Sequence, residues 1–131
     1  MNQLTYNPAL GHITTFGGHP VSAAAALASL QVILDNELSL NAEARGQQFV
    51  KLLKDHPLVS QIRQIGLMLA VELKPGYTVG KLVKILQINK LIVDQFLFHD
   101  SAFRIAPPLT ITAEEVDLVA KQVIESLNQL K

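Results

Sequence analysis

Hydrophobic and polar positions change their period several times along the chain, and each change marks an element. From Pro20 to about Asn36 apolar residues fall on more than one side: Leu27, Leu30, Leu34 and Val32–Ile33, among the alanines 23–26 and 28. Alanine is the strongest helix former, and apolarity around the circumference predicts a helix that is largely buried. Pro20 suits its first turn, because its φ is already helical and it has no N–H to leave unpaired. A second helix is predicted roughly from Leu40 to Lys54. Phe49, Leu52 and Leu53 keep helical spacing there, with Arg45, Gln47, Gln48, Lys51 and Lys54 outside. His56-Pro57 ends it, since a residue before proline is pushed out of the α region.

The period then shortens. In Val59–Leu73 the residues Leu67, Leu69, Val71 and Leu73 strictly alternate, and Gly66 interrupts the run. Two antiparallel strands with a tight turn or bulge at Gly66 are expected. Lys74-Pro75-Gly76 reads as a turn, and Val79–Asn89 as a short amphipathic helix. Leu91–Gln95 and Phe103–Ala106 have strand length, with Phe96–Ala102 read as a loop between them. Pro107-Pro108 blocks further pairing. Thr112 and Glu115 form a capping box for a last helix whose stripe is Val116, Val119, Ala120, Val123, Leu127 and Leu130. The predicted fold class is α+β: a small sheet of three to four strands with helices packed on one face.

Residues 1–19 carry no periodicity and are expected to form an irregular N-terminal arm, with one domain over 20–131. Such an arm suggests that it lies on another molecule or domain. The balance of 11 basic against 11 acidic residues gives no sign of nucleic-acid or anionic-membrane binding. With 17% charged residues and a mean hydropathy of +0.28, the chain is apolar for its size. That excess points to surface covered by a partner subunit or a further domain. No cysteine is present, so disulfides and thiolate metal sites are excluded. The start lacks the basic and apolar regions of a signal peptide, and Val21–Leu34 is too short to span a bilayer. Cytoplasmic residence is the expectation.

Candidate chemistry gathers in His12–Ala26. Thr14 and Thr15 offer hydroxyls, the Gly17-Gly18 pair lets backbone come close to a ligand, and the helix start offers free N–H groups to an anion. On the residues alone, such a loop is more often a plain connection. Arg104 could bind a carboxylate with its planar fork, although an arginine at a strand end is more often a structural or solvated ion pair. His12, His56 and His99 are too scattered for metal spacing, and no metal ligand is assigned. Phe98-His99-Asp100 is a weaker candidate for a pocket mouth.

The run HITTFGGHPVSAAAALASLQVI, followed in order by RIAPPL and TITAEEVD, resembles the C-terminal small domain of class III, fold type I pyridoxal-phosphate aminotransferases. These are the ornithine, acetylornithine and 4-aminobutyrate group, and the resemblance covers nearly the whole chain. It implies that Thr14 and Thr15 bind the cofactor phosphate of the partner subunit in a homodimer, with Thr15 the stronger candidate. It implies that Arg104 binds a substrate carboxylate, or is held by an acid of the large domain until needed. His19 stands where the family usually has Asn. Gln64 replaces the first Gly of an Arg-Gly-x-Gly pattern at Arg63–Gly66, so a structural turn is the better reading there. The family's Schiff-base lysine and the acid at the cofactor's ring nitrogen belong to a large domain that precedes this segment. None of the lysines here falls in a cofactor motif, so no catalytic residue is assigned. The expectation is a domain fragment of an enzyme that moves an amino group between an amino acid and a 2-oxo acid, inactive and without bound cofactor by itself. The alternative is a stand-alone remnant serving as a non-catalytic interaction module.

Overall fold

Alternation in the segment MLAVEL sends Leu69, Val71 and Leu73 to one side of a strand, and all three are buried. In the computed structural model, which describes residues 14–130, this strand is central to a four-stranded antiparallel sheet. The strands are β1 (Val59–Ile65), β2 (Met68–Leu73), β3 (Asp94–Phe96) and β4 (His99–Ile105), in the order β1-β2-β4-β3. The helices are α1 (Pro20–Asp35), α2 (Leu38–Leu53), α3 (Val79–Ile88) and α4 (Ala113–Asn128). The chain divides into two units, residues 1–36 and 37–131. Residues 1–13 of the expected arm, His12 among them, lie outside the described residues.

The second unit has the expected α+β architecture. Register places Leu69 opposite Ile105 and Val71 opposite Phe103, so one face of β2 and β4 is continuously apolar. Phe49 and Leu53 of α2, Leu82 and Leu86 of α3, and Val116, Val123 and Leu127 of α4 complete the core with that face. All of these are essentially inaccessible to water. The capping box is present: Glu115 N–H donates to Thr112 Oγ1 at 3.2 Å, and Thr112 N–H donates to Glu115 Oε2 at 2.9 Å. Gln48, placed outside by its period, is half-buried instead. Its Nε2 reaches the Ala113 carbonyl at 3.0 Å and Asp117 Oδ1 at 2.7 Å, tying α2 to α4.

One close approach sets how α2 lies on the sheet. Gly66, with φ 53°, turns the chain between β1 and β2, as the sequence suggested. The Gly66 carbonyl then faces Gly46 of α2, where a Cβ would lie only 1.9 Å from that oxygen.

Three expectations need correction. The segment Phe96–Ala102 is not a loop: β3 and β4 form a hairpin through it, turning at Leu97-Phe98, and β3 is shorter than and displaced from Leu91–Gln95. Pairing of β4 with β2 imposes the extended conformation on residues that show no clean alternation. The helix at Leu40 begins earlier, at Leu38, because Glu37 takes the left-handed conformation (φ 49°) immediately before it. Helix α1 contains no buried residue. Its leucines and alanines therefore make an apolar surface and not a core element.

Candidate functional site

The first unit presents the loop that precedes α1. Gly17 N–H donates to the Thr14 carbonyl at 3.4 Å, and His19 N–H to the Phe16 carbonyl at 3.2 Å, giving two successive turns. The two glycines answer different needs of this path. A Cβ on Gly17 would lie 2.0 Å from Thr14 Oγ1, and Gly18 sits at φ 74°. Pro20 occupies the first turn of α1, and the His19 side chain makes no cap hydrogen bond. No acidic residue lies in that first turn.

The N–H groups of Val21 and Ser22 belong to the first turn of α1, whose donors have no intrahelical acceptors. The positive end of the helix dipole lies at the same end, after a loop whose Thr14 and Thr15 side chains are exposed. The chemistry of this segment fits a phosphate: donors, hydroxyls and no competing carboxylate in the helix turn.

The second unit places Arg104 on β4. It stands opposite Ala70 of β2 and opposite Asp94 of β3. Arg63 of β1 is on the other side of Ala70, so one row across the open face of the sheet reads Arg63, Ala70, Arg104, Asp94. The Arg104 guanidinium is paired with the Asp94 carboxylate. Both side chains are substantially exposed, 39% and 67%, so solvent competes for each. Beyond Arg104, the chain runs through Pro107-Pro108 into a loop held by Asn41. The Asn41 side-chain amide donates to the Leu109 carbonyl at 2.8 Å and to the Ile111 carbonyl at 3.1 Å. A cleft of about 490 Å³ lies here, bounded by Ala42, Glu43, Gly66, Met68 and Pro107.

A third cluster was not singled out from the sequence. Glu72 on β2 accepts from Arg63 Nη1 at 2.7 Å and from Ser101 Oγ at 3.2 Å. His99 Nε2 lies 3.2 Å from Oε1, the same oxygen that accepts from Ser101, while Arg63 holds Oε2. The Arg63 guanidinium, then the Ser101 hydroxyl and His99, hold the Glu72 carboxyl below the usual carboxylate range against a smaller opposing effect of burial. His99 thus serves this cluster, and Asp100 borders an adjacent hollow with Lys74 and Tyr77. Phe98 sits at the hairpin tip, almost wholly exposed. Only the alternation of β2, which turns Glu72 away from the core, hinted at the cluster.

His56 is structural: Nδ1 accepts from Leu58 N–H at 3.2 Å and Nε2 faces Asn128 Oδ1 at 3.2 Å. Among the described residues no group of three or more His, Asp or Glu side chains is placed to hold a metal ion. No helix among them is long and apolar enough to cross a membrane.

Comparison with known proteins agrees with this architecture. The sequence model of the family described as Aminotransferase class-III matches residues 1–127. An ornithine aminotransferase 2 of Staphylococcus aureus is 37% identical over 114 residues, covering 86% of this chain and 28% of that protein. The acetylornithine aminotransferase of Elizabethkingia anophelis superposes with a TM-score of 0.78 at 31% identity, over 90% of this chain and 32% of that one. The ornithine aminotransferase of Toxoplasma gondii, whose active site is partially occupied by pyridoxal phosphate, superposes with a TM-score of 0.79 at 31% identity. That match covers 94% of this chain and 30% of the other. The chain spans a little under a third of the length of these relatives.

Proposed function

Since the chain belongs to the class-III aminotransferase family, we propose that it is the C-terminal small domain of a pyridoxal-phosphate enzyme. That enzyme transfers an amino group between an amino acid, of the ornithine or acetylornithine kind, and a 2-oxo acid. The observation that supports the reading is the family match over residues 1–127, to which the loop adds exposed Thr14 and Thr15 shortly before a helix start without a side-chain cap. When bound, pyridoxal phosphate supplies the electron sink for the amino-group exchange.

The residues of this chain hold and orient. Thr14 and Thr15, with the first N–H groups of α1, bind the phosphate of the partner subunit's cofactor in a homodimer. Arg104 binds a carboxylate of the amino-acid or 2-oxo-acid substrate through its planar fork. The large domain is the domain's principal partner, and the proposed compartment is the cytoplasm. The 131-residue chain is proposed to be inactive alone, because no residue in it takes the role of the cofactor lysine.

The test is Thr15→Ala in the complete enzyme, with cofactor binding followed by its absorbance. Loss of a hydrogen bond to a charged group costs about 1.5–3 kcal/mol, so the dissociation constant for pyridoxal phosphate should rise at least about tenfold. Unchanged cofactor affinity in both Thr15→Ala and Thr14→Ala would remove the phosphate role from this loop.

A further inference from the structure

Pairing of β4 with β2 ends at Ile105 opposite Leu69, one residue beyond Arg104. The chain then crosses residues 106–111 before Thr112 caps α4. Pro107 and Pro108 have no N–H to give to a ladder. Within the stretch, Ile111 N–H donates to the Pro108 carbonyl at 3.1 Å. The outside hold comes from α2, where one amide, that of Asn41, donates to both the Leu109 and the Ile111 carbonyls. Two helical turns further along α2, Gln48 makes the second tie, to the Ala113 carbonyl and Asp117. Helix α2 therefore grips the chain after β4 at two points. Asn41 holds the loop that leaves Arg104, and Gln48 holds the start of α4. All of these residues belong to one unit, residues 37–131.

We propose that Asn41 is a positioning residue for Arg104: by fixing the exit of β4, it holds the arginine where it binds the substrate carboxylate. This rests on the assignment of Arg104 to substrate recognition. A strand end frays where its ladder stops and few bonds follow, and a side chain one residue from that end moves with it. The asparagine amide suits the task because it carries two donors on a short stem, enough for two carbonyls of one loop. An arginine already held in place has less freedom to lose when the carboxylate arrives. Release of the loop therefore weakens binding and leaves the reacting groups, which lie elsewhere, as they were.

The experiment measures steady-state kinetics of the complete enzyme, with its carboxylate substrate, for wild type, Asn41→Ala, Asn41→Asp, Gln48→Ala, Arg104→Gln and the double variant Asn41→Ala with Arg104→Gln. Asn41→Ala should raise KM about fivefold, the equivalent of one net hydrogen bond, with kcat and pyridoxal-phosphate affinity unchanged. A change confined to KM is the mark of uniform binding. Asn41→Asp keeps the shape and loses both donors, so its KM should rise at least as far. Gln48→Ala removes the other tie and should keep the wild-type KM. In the Arg104→Gln background Asn41→Ala should add nothing, because the group it positions is gone. Suppose Arg104→Gln raises KM. The positioning role is then overturned, and that of Arg104 survives, if both Asn41 variants leave KM unchanged, if Gln48→Ala raises it equally, or if the Asn41→Ala effect persists in the double variant. If Arg104→Gln leaves KM unchanged, the substrate role of Arg104 is lost and the positioning with it.

Discussion

Gly46→Ala separates tertiary packing from local propensity. In the interior of α2, alanine should stabilise the helix by about 1 kcal/mol over glycine. The structure reverses that sign. The new Cβ would lie 1.9 Å from the Gly66 carbonyl oxygen, 2.8 Å from its carbon and 2.5 Å from Gln64 Nε2. Gln64 can move away, but it would break its own 2.8 Å bond to the Gly66 carbonyl. The backbone of the turn cannot move alone, because β1 and β2 pair right up to it, Ile65 opposite Met68. Ordinary contact begins near 3.4 Å, so helix and turn must separate by about 1.5 Å.

That separation loosens Ala42 and Phe49, which sit on the same buried face of α2. Overpacking a close contact costs typically 1–3 kcal/mol. A rigid backbone obstacle places this case at the upper end, so the net loss after the propensity gain is about 2 kcal/mol. For a chain of this size that lowers Tm by about 8 °C. Urea and thermal melts followed by circular dichroism measure it, with Gly80→Ala as the control. Gly80 also lies in a helix but has nothing within 4 Å of its would-be Cβ, so that variant should be neutral or gain up to about 1 kcal/mol. If Gly46→Ala is as stable as wild type or more so, the close approach of α2 to the turn at Gly66 is wrong.

Thr112→Ala removes the hydroxyl half of the capping box on α4 and should cost about 1 kcal/mol, with Thr112→Ser near wild type, by the same melts. Glu72 has its pKa depressed chiefly by Arg63, so its contribution to stability is complete above the ordinary carboxylate value of 4.5 and is lost as pH falls through the lower folded value. Urea midpoints measured downward from about pH 5 should therefore fall more steeply in wild type than in Glu72→Gln; parallel profiles would remove this cluster from the acid response.

Where local chemistry decides an element, the sequence already showed it. Thr112 and Glu115 specify the start of α4 by reciprocal bonds made within four residues. Leu69, Val71 and Leu73 show a half-buried strand by period alone. The hairpin of β3 and β4 was illegible because its turn is Leu97-Phe98, two large apolar residues with none of the usual turn chemistry. Its strands exist through pairing with β2, a contact some thirty residues away in sequence. Helix α1 shows the reverse error. All-round apolarity states that a surface is costly in water but not what covers it, and the residues read as core are exposed. Gly46 gave no signal at all: a lone helical glycine reads as a defect until a neighbouring carbonyl is found against it.

The candidate site divides along the same line. Thr14, Thr15 and the glycine pair lie close together in sequence, so residue types and order alone describe the loop, and the turn geometry adds the positive φ that Gly18 takes. Arg104 was legible by type and by the prolines that follow it. Its counter-ion was not. Asp94 lies ten positions earlier in what reads as a plain apolar run ending in a polar residue, and only the antiparallel register of β3 on β4 brings the two opposite. A one-residue slip of that register would turn Asp94 to the other face and leave Arg104 without it. The charge environment of Arg104 is thus a property of strand pairing.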